Sequence, residues 1–323
     1  MGPRTRVYRN GVLAAEDFPL NEVSDYLEDA STTVWVDFCE PEESDLTDIG
    51  TELGLHALAV EDATHEHQRP KVDRYESHAF LTAYSAQLGD DGLLITSELA
   101  AFITDRALVT VRKDDNFDID AVTDRWNTSS DLAKSGVAFL LHGLLDYIVD
   151  THFDVVQCLD DHIEALEDLV FDERPKESDV QRRSYRLRKS LVEVRRVVLP
   201  MREVLNTIMR RDIQVVDDAM QPYFQDVYDH VLRASEWTES LRDLVVTIRE
   251  TQLNIQSNRL NLVMKKVTSW AAIIAVPTAI TGFYGQNVPY PGYQAESGFW
   301  ISTAAIILLS GFLYFMFKKR DWL

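Results

Sequence analysis

The rhythm of apolar and polar positions changes twice along the chain. In the first 130 or so residues the rhythm is mixed, with short strand-like runs between turn signals. Val7-Tyr8-Arg9 and Val12-Leu13 flank Asn10-Gly11, a pair that favours a two-residue hairpin turn. Thr32 to Phe38 alternates and is rich in β-branched and aromatic residues, so it predicts a strand. Glu42 to Leu53 and His56 to Thr64 have the spacing of short helices. Val72 to Tyr75, Ala79 to Leu88, Leu93 to Thr104 and Leu108 to Arg112 predict successive strands, two of them joined by the turn Gly89-Asp90-Asp91-Gly92. Phe117 to Trp126 predicts a helix. The expectation is a mixed sheet covered by helices on at least one face, an α+β arrangement.

After Ser135 the period becomes helical, and between Gly143 and Gly282 there is no glycine. One helix is expected from about Gly136 to Val170, with acids at its end, broken by Glu173-Arg174-Pro175. A basic helix follows from about Glu177 to Arg211, with Pro200 as a kink. The two could form a charge-matched antiparallel pair or simply present solvated surfaces. A third pattern starts near the capping residues Asp217-Asp218 and meets no breaker from Tyr223 to Val276, roughly 80 Å of helix. A helix so long needs other long helices beside it. Val227, Val231, Leu241, Leu244, Val245 and Ile248 fit a packing seam, and Asn254, Asn258 and Asn261 recur towards its end.

Two uncharged runs close the sequence: Val267 to Tyr284, 18 residues, and Phe299 to Phe317, 19 residues. Each is just long enough to cross about 30 Å of hydrocarbon as a helix. Lys265 and Lys266 precede the first, Lys318, Lys319 and Arg320 follow the second, and the linker between them holds no Lys or Arg. That asymmetry places both chain ends in the cytoplasm and the linker outside. A buried hairpin of a soluble protein is the alternative. The first run carries Thr268, Ser269, Thr278 and Thr281 and is interrupted by Pro277 and Gly282, so it is the better pore liner. Two helices cannot enclose a polar passage, so transport would require an oligomer.

Charge sharpens this picture. The formal net charge is −21, with nearly all acids before residue 251. Such a surface repels nucleic acid and attracts cations, although solubility alone would also account for it. Cys39 and Cys158 lack metal or redox spacing. Met1 to Asn10 has no apolar core, so no cleavable signal is expected and the first membrane run directs insertion. No glycine-rich phosphate loop or nucleophile elbow argues for an enzyme, and His65-Glu66-His67 lacks the helical spacing of a zinc hydrolase.

At Asn261-Leu-Val-Met-Lys265, Pro277-Thr-Ala-Ile-Thr-Gly-Phe-Tyr-Gly-Gln-Asn287 and the tail Phe317-Lys-Lys-Arg-Asp-Trp-Leu323, the chain resembles the CorA family of divalent-cation transporters. His67-Gln-Arg-Pro-Lys71 and Tyr223-Phe-Gln-Asp-Val-Tyr-Asp-His230 agree as well, so the resemblance spans nearly the whole chain. It implies a homopentameric funnel in the cell membrane, in contact with lipid. Its divisions would be a cytoplasmic α/β domain at residues 1–134, a long helical pair at 135–216 and the cytoplasmic part of the pore helix at 217–266. A pore-lining membrane helix at 267–284, an external loop at 285–298, a second membrane helix at 299–317 and a basic tail at 318–323 complete it. It also implies that Gly285, Gln286 and Asn287 form the external mouth. Thr278 and Ala275 would line the upper pore, with Thr268, Val267, Met264 and Asn261 below, Val267 and Met264 being the apolar constriction. Asp62 and Asp226 would match an inter-subunit regulatory cation site with Asp229, His67 and His230 nearby, and Glu250 another acidic position. Mg2+, or another divalent cation, would be both cargo and regulator, with no organic cofactor.

One departure matters: the family's Tyr-Gly-Met-Asn reads Tyr284-Gly-Gln-Asn287 here. Gln286 could leave Mg2+ preference alone, shift it towards Co2+, Ni2+ or Zn2+, or weaken transport. The acidic external signature is altered too, leaving Glu296 as the single acid of the linker. A non-conducting, membrane-anchored cation sensor is the rival of another class.

Overall fold

The computed structural model describes the chain apart from Met1, residues 66–67, 90–91, 173–175, 211–214, 291–292 and 294, and the side chain of Ser130. Several expectations therefore lie outside the described residues. They are Glu66 and His67, the centre of the Gly89–Gly92 turn, the Glu173-Arg174-Pro175 break and part of the external linker. The chain divides into two units, Met1–Val246 and Thr247–Leu323.

In the first unit, β1 (Arg4–Arg9) and β2 (Val12–Glu16) form the expected hairpin, with Asn10 and Gly11 at φ 51° and 79°, as a primed turn requires. β3 (Thr32–Cys39), β4 (Lys71–Arg74), β5 (Ala79–Leu88), β6 (Leu94–Ile103) and β7 (Ala107–Arg112) complete one sheet of order β2-β1-β3-β7-β6-β5-β4. Among the described residues, β3 and β7 are the one pair that runs parallel. Helices α1 (Val23–Glu28), α2 (Glu43–Leu53), α3 (Ala57–Thr64), α4 (Ile119–Thr128), α5 (Val137–Phe171) and α6 (Glu177–Ile208) surround it. Helix α1 is a short element that the sequence pattern misses.

Strand alternation decides the layers, because successive side chains point to opposite faces. Trp35, Leu81, Leu99, Ala101, Ile103 and Leu108 join a core with α4, α5 and the end of α6. Their neighbours Val34, Val36, Phe80, Ala100, Phe102 and Val109 join a second core with Leu46 and Ile49 of α2 and Ala59 and Ala63 of α3. Both faces are thus covered. On the first face Trp126 packs edge-on to Trp35, ring centroids 4.9 Å apart, and donates Nε1 to the Leu140 carbonyl at 3.1 Å. Gly143 permits this approach: a Cβ there would lie 2.5 Å from the indole nitrogen. His152 fixes α5 to β5 by donating Nε2 to the Tyr84 carbonyl at 2.7 Å, and burial pushes its pKa down to about 4, keeping it neutral.

Helix α7 (Gln221–Tyr284) gives its first part to this unit. The Asp217 side chain accepts from the Met220 amide at 2.8 Å, so it caps as expected, but the helix starts four residues later at Gln221. Val227, Val231, Leu241, Val245 and Ile248 are buried, whereas Leu244 is 36% exposed and does not belong to the seam. Pro200 lies inside α6 without ending it. The visible ion pairs of the basic α6 run within the helix, to Asp179 and Glu193, and to Glu239 of α7.

One charged pair lies in this core. Arg112 donates Nη2 to Asp37 at 2.8 Å and Nε at 3.1 Å, with both side chains buried. Thr110 donates to the same carboxylate at 2.7 Å and accepts from Trp35 at 3.1 Å, while Arg112 also reaches the Phe117 carbonyl. Burial pushes the Asp37 carboxyl upward, and the guanidinium and hydroxyl oppose it. The pair ties β3 and β7 to the entry of α4.

The second unit holds the rest of α7 and α8 (Glu296–Lys319). Both helices are long and apolar enough to cross a membrane, and their apolar windows are bare rather than buried, with Leu308 71% and Phe315 72% exposed. Helix α8 begins at Glu296, which hydropathy alone leaves in the linker; an acid in the first turn complements the helix dipole.

Removing one member of a buried pair leaves the other charge stranded. Arg112→Met should lose about 3–5 kcal/mol of unfolding free energy. Denaturant unfolding of the full chain, followed by tryptophan fluorescence, measures it. The double variant Asp37→Asn/Arg112→Met should lose less than Arg112→Met, because no carboxylate is then left unpaired.

Candidate functional site

The second unit carries a coherent stripe. At about 100° per residue, Asn261, Met264, Val267, Thr268, Ala275 and Thr278 fall within an arc of about 120° on α7. All six are exposed in the single chain. Trp322 of the tail lines a shallow pocket with Asn261, Met264 and Thr268, and the stripe mixes an amide and hydroxyls with Met264 and Val267. Thr278 donates to the Ile274 carbonyl at 3.0 Å and Thr281 to the Pro277 carbonyl at 2.8 Å, so these hydroxyls are satisfied within the helix around Pro277. Ser269, off this stripe, is buried and donates to the Lys265 carbonyl at 2.8 Å.

Beyond Tyr284 the helix closes tightly. The Gly285 amide donates to the Thr281 carbonyl at 2.8 Å and the Gln286 amide to the Phe283 carbonyl at 3.3 Å. A Cβ on Gly285 would come to 3.0 Å from the Thr281 oxygen, which makes glycine the fitting residue. Gly285, Gln286 and Asn287 are all exposed. None of the three carries a charge.

In the first unit the expected regulatory residues fall in different settings. Asp62, on α3, accepts from Lys71 at 2.7 Å, and Lys71 also reaches Asp73 at 2.8 Å. Burial opposes the Lys71 charge, but the two carboxylates hold its pKa above the ordinary value. His65 ends α3, its Nδ1 2.8 Å from the Glu61 carbonyl. Asp226 and Asp229 are exposed on α7, Asp229 accepting from Gln225 at 3.0 Å. Glu250, in the second unit, is exposed.

His230 has company that the sequence reading missed. Its imidazole and the carboxylates of Asp146 and Asp150 bring ligand atoms within 4.8 Å of one another. Asp146 and Asp150 are four residues apart and so share a face of α5. That spacing was legible; its partner across the fold was not. Two carboxylates and an imidazole suit a divalent cation, but Arg125 already reaches Asp146 at 2.5 Å and Asp150 at 2.7 Å. The guanidinium lies 5.5 Å from the Tyr147 ring centroid. Nearby, burial lowers the pKa of His142, opposed by Asp146 and Asp226. Both acid clusters are therefore held by a cation of the chain itself, Lys71 in one and Arg125 in the other.

Comparison with known proteins agrees with this layout. The family model described as CorA-like Mg2+ transporter protein matches residues 30–319. The cobalt/magnesium transport protein CorA of Thermotoga maritima is 32% identical over 299 residues, 91% of this chain and 85% of its own. The putative metal ion transporter YfjQ of Bacillus subtilis is 29% identical, over 88% of each chain. The solved structure of the CorA magnesium transporter from Methanocaldococcus jannaschii superposes with a TM-score of 0.78 at 21% identity, over 99% of this chain and 98% of that one. Mixed sheet, long helix and bare apolar hairpin all have their counterparts in that fold, and the chain belongs to the CorA-like Mg2+ transporter protein family.

Proposed function

We propose that this member of the family passes Mg2+ across the cell membrane through the centre of a homopentamer. The observation that supports the reading is the exposed stripe Asn261–Met264–Val267–Thr268–Ala275–Thr278 on a helix with the length and hydropathy to span a bilayer. Within the span Thr268 and Thr278 leave polar oxygen on the helix surface, which a partner helix or water accommodates better than lipid. Copies of α7 around an axis supply both. Lys265, Lys266, Lys318, Lys319 and Arg320 then mark the cytoplasmic side, with both chain ends there and Gly285-Gln286-Asn287 outside.

Mg2+ sheds water reluctantly and prefers oxygen ligands. A ring of Asn287 amide oxygens can hydrogen-bond the ion's water shell without the deep trap that a ring of carboxylates would set, and release is as necessary as entry. Met264 and Val267 form the apolar constriction lower down, where a dry bore blocks a hydrated ion. Gln286 adds a second amide beside Asn287, which favours retained selection by hydrogen bonding over direct coordination.

Cytoplasmic Mg2+ closes the channel in this reading. An ion between Asp62 of one subunit and Asp226 of the next offsets their repulsion and favours the symmetric closed ring, with Asp229, His67 and His230 close by and Glu250 further along α7. Lys71 opposes it: the ion must displace the ammonium from Asp62, and Asp73 stands ready to keep it. The sign is negative feedback.

Purified protein in liposomes should pass Mg2+, and Co2+, Ni2+ and Zn2+ tested in turn give its preference. Gln286→Met should raise flux of the softer ions relative to Mg2+. A pentamer that binds cations yet passes none would establish the non-conducting sensor instead. Asp226→Ala should abolish inhibition by internal Mg2+; unchanged inhibition refutes the regulatory assignment. Lys71→Met should act in the opposite direction. With one partly exposed ion pair removed, internal Mg2+ should inhibit at a concentration up to about fivefold lower in the same flux assay.

A further inference from the structure

The turn that carries Gly285, Gln286 and Asn287 has a fastener not found by reading the motif itself. Tyr290 donates its hydroxyl to the Tyr284 carbonyl at 2.7 Å. That carbonyl is one of the last on α7, and a helix end leaves such groups without intrahelical partners. The Tyr290 ring stands edge-on to Tyr284, centroids 5.2 Å apart, and to Tyr293 at 5.3 Å, and lies 5.9 Å from Phe283. Both Tyr284 and Tyr290 are partly buried in consequence, in a segment that is otherwise exposed. Five residues, Gly285 to Pro289, are thereby closed into a loop whose two ends are pinned to each other.

The surrounding sequence stiffens the same loop. Pro289 fixes its own φ and restricts Val288. With the Gly285 and Gln286 amides bonded back into the helix, and Tyr290 bonded to its last carbonyl, the Asn287 backbone lies between two fixed points. Without the second point the loop would hang from the helix alone and would lose an entropy-limited geometry on each ion encounter.

We infer that Tyr290 is a positioning residue for the external mouth: its hydroxyl and ring hold the Gly285-Gln286-Asn287 turn in the geometry that meets the entering hydrated cation. The inference rests on the reading of that turn as the mouth. Tyr290 touches no ion in this role. It acts through the Tyr284 carbonyl and the aromatic packing, so it governs how well the amide collar fits the ion's water shell and leaves the constriction at Met264 and Val267 alone.

The variant that isolates this is Tyr290→Phe, which keeps the ring and removes one hydrogen bond. In full-length protein, amide hydrogen exchange at Gly285 to Val288 should quicken about fivefold, the equivalent of one hydrogen bond. In liposomes the apparent KM for external Mg2+ should rise by a similar factor, with maximal flux and inhibition by internal Mg2+ unchanged. Tyr290→Leu, losing ring and hydroxyl, should go further in both measurements. A generally damaged protein would instead lose maximal flux and pentamer yield together. Unchanged exchange in Tyr290→Phe overturns the inference even if the wild type conducts nothing, and faster exchange with an unchanged KM overturns the positioning role in a conducting channel. Wild-type vesicles that pass no divalent ion would count against the transport reading itself, while the exchange result still decides whether Tyr290 fastens the turn.

Discussion

A bilayer allows no unsatisfied polar surface, and the second unit of this chain depends on that constraint. A hairpin of two helices has enough lipid-facing surface for its apolar residues, and α8 with its bare Leu308 and Phe315 meets that need. The first helix does not. Thr268 and Thr278 lie on one arc of its span, and Pro277 and Gly282 interrupt its run. A single copy would turn that arc towards hydrocarbon. In the proposed homopentamer, repetition around an axis would turn the same arc inward and give it water instead of lipid.

The first unit answers a different constraint. Its sheet must bury two faces at once, and strand alternation divides nearly every strand between the two cores. The Asp37–Arg112 pair is a charged contact within this packing, joined to Thr110, Trp35 and the Phe117 carbonyl. Such a network adds little to net stability compared with apolar replacements, but it tolerates one register of β3 against β7 and no other. Fixed register also fixes the face to which α3 and Lys71 belong, so the setting of Asp62 follows from the core behind it.

Much of this was legible from the pattern alone. Asn10-Gly11 announced its turn, the alternating runs gave the strands within a residue or two, and the absence of glycine marked the long helices. The failures have physical causes. Helix α1 is only six residues and has too few turns to show a period. Leu244 has the right spacing for the α7 seam but sits just off its edge, since 3.6 residues per turn carries a long stripe slowly around the helix. The roles of Lys71 and Arg125 were invisible because each partner is set by tertiary contact: Arg125 reaches α5 from α4, and nothing in either local sequence records the meeting. The Gly285-Gln286-Asn287 turn stood out as a motif, whereas the hydrogen bond from Tyr290 to Tyr284 joins residues six apart, across a loop with no period to read.

These internal cations change how the acidic surface should be understood. A chain of charge −21 would attract Mg2+ at many places if every carboxylate were free, and a sensor that saturates everywhere senses nothing. Binding a tethered ammonium or guanidinium at selected carboxylates raises the concentration at which a free divalent ion can compete there. Lys71 is the weaker competitor, a point charge shared between Asp62 and Asp73. Arg125 is the stronger, with a planar fork divided between Asp146 and Asp150 and its face on Tyr147. Two acid clusters in one unit are thus graded by the chemistry of their resident cation. A divalent ion therefore meets a weaker resident cation at Asp62 and Asp73 than at Asp146 and Asp150, where Arg125 joins α4 to α5.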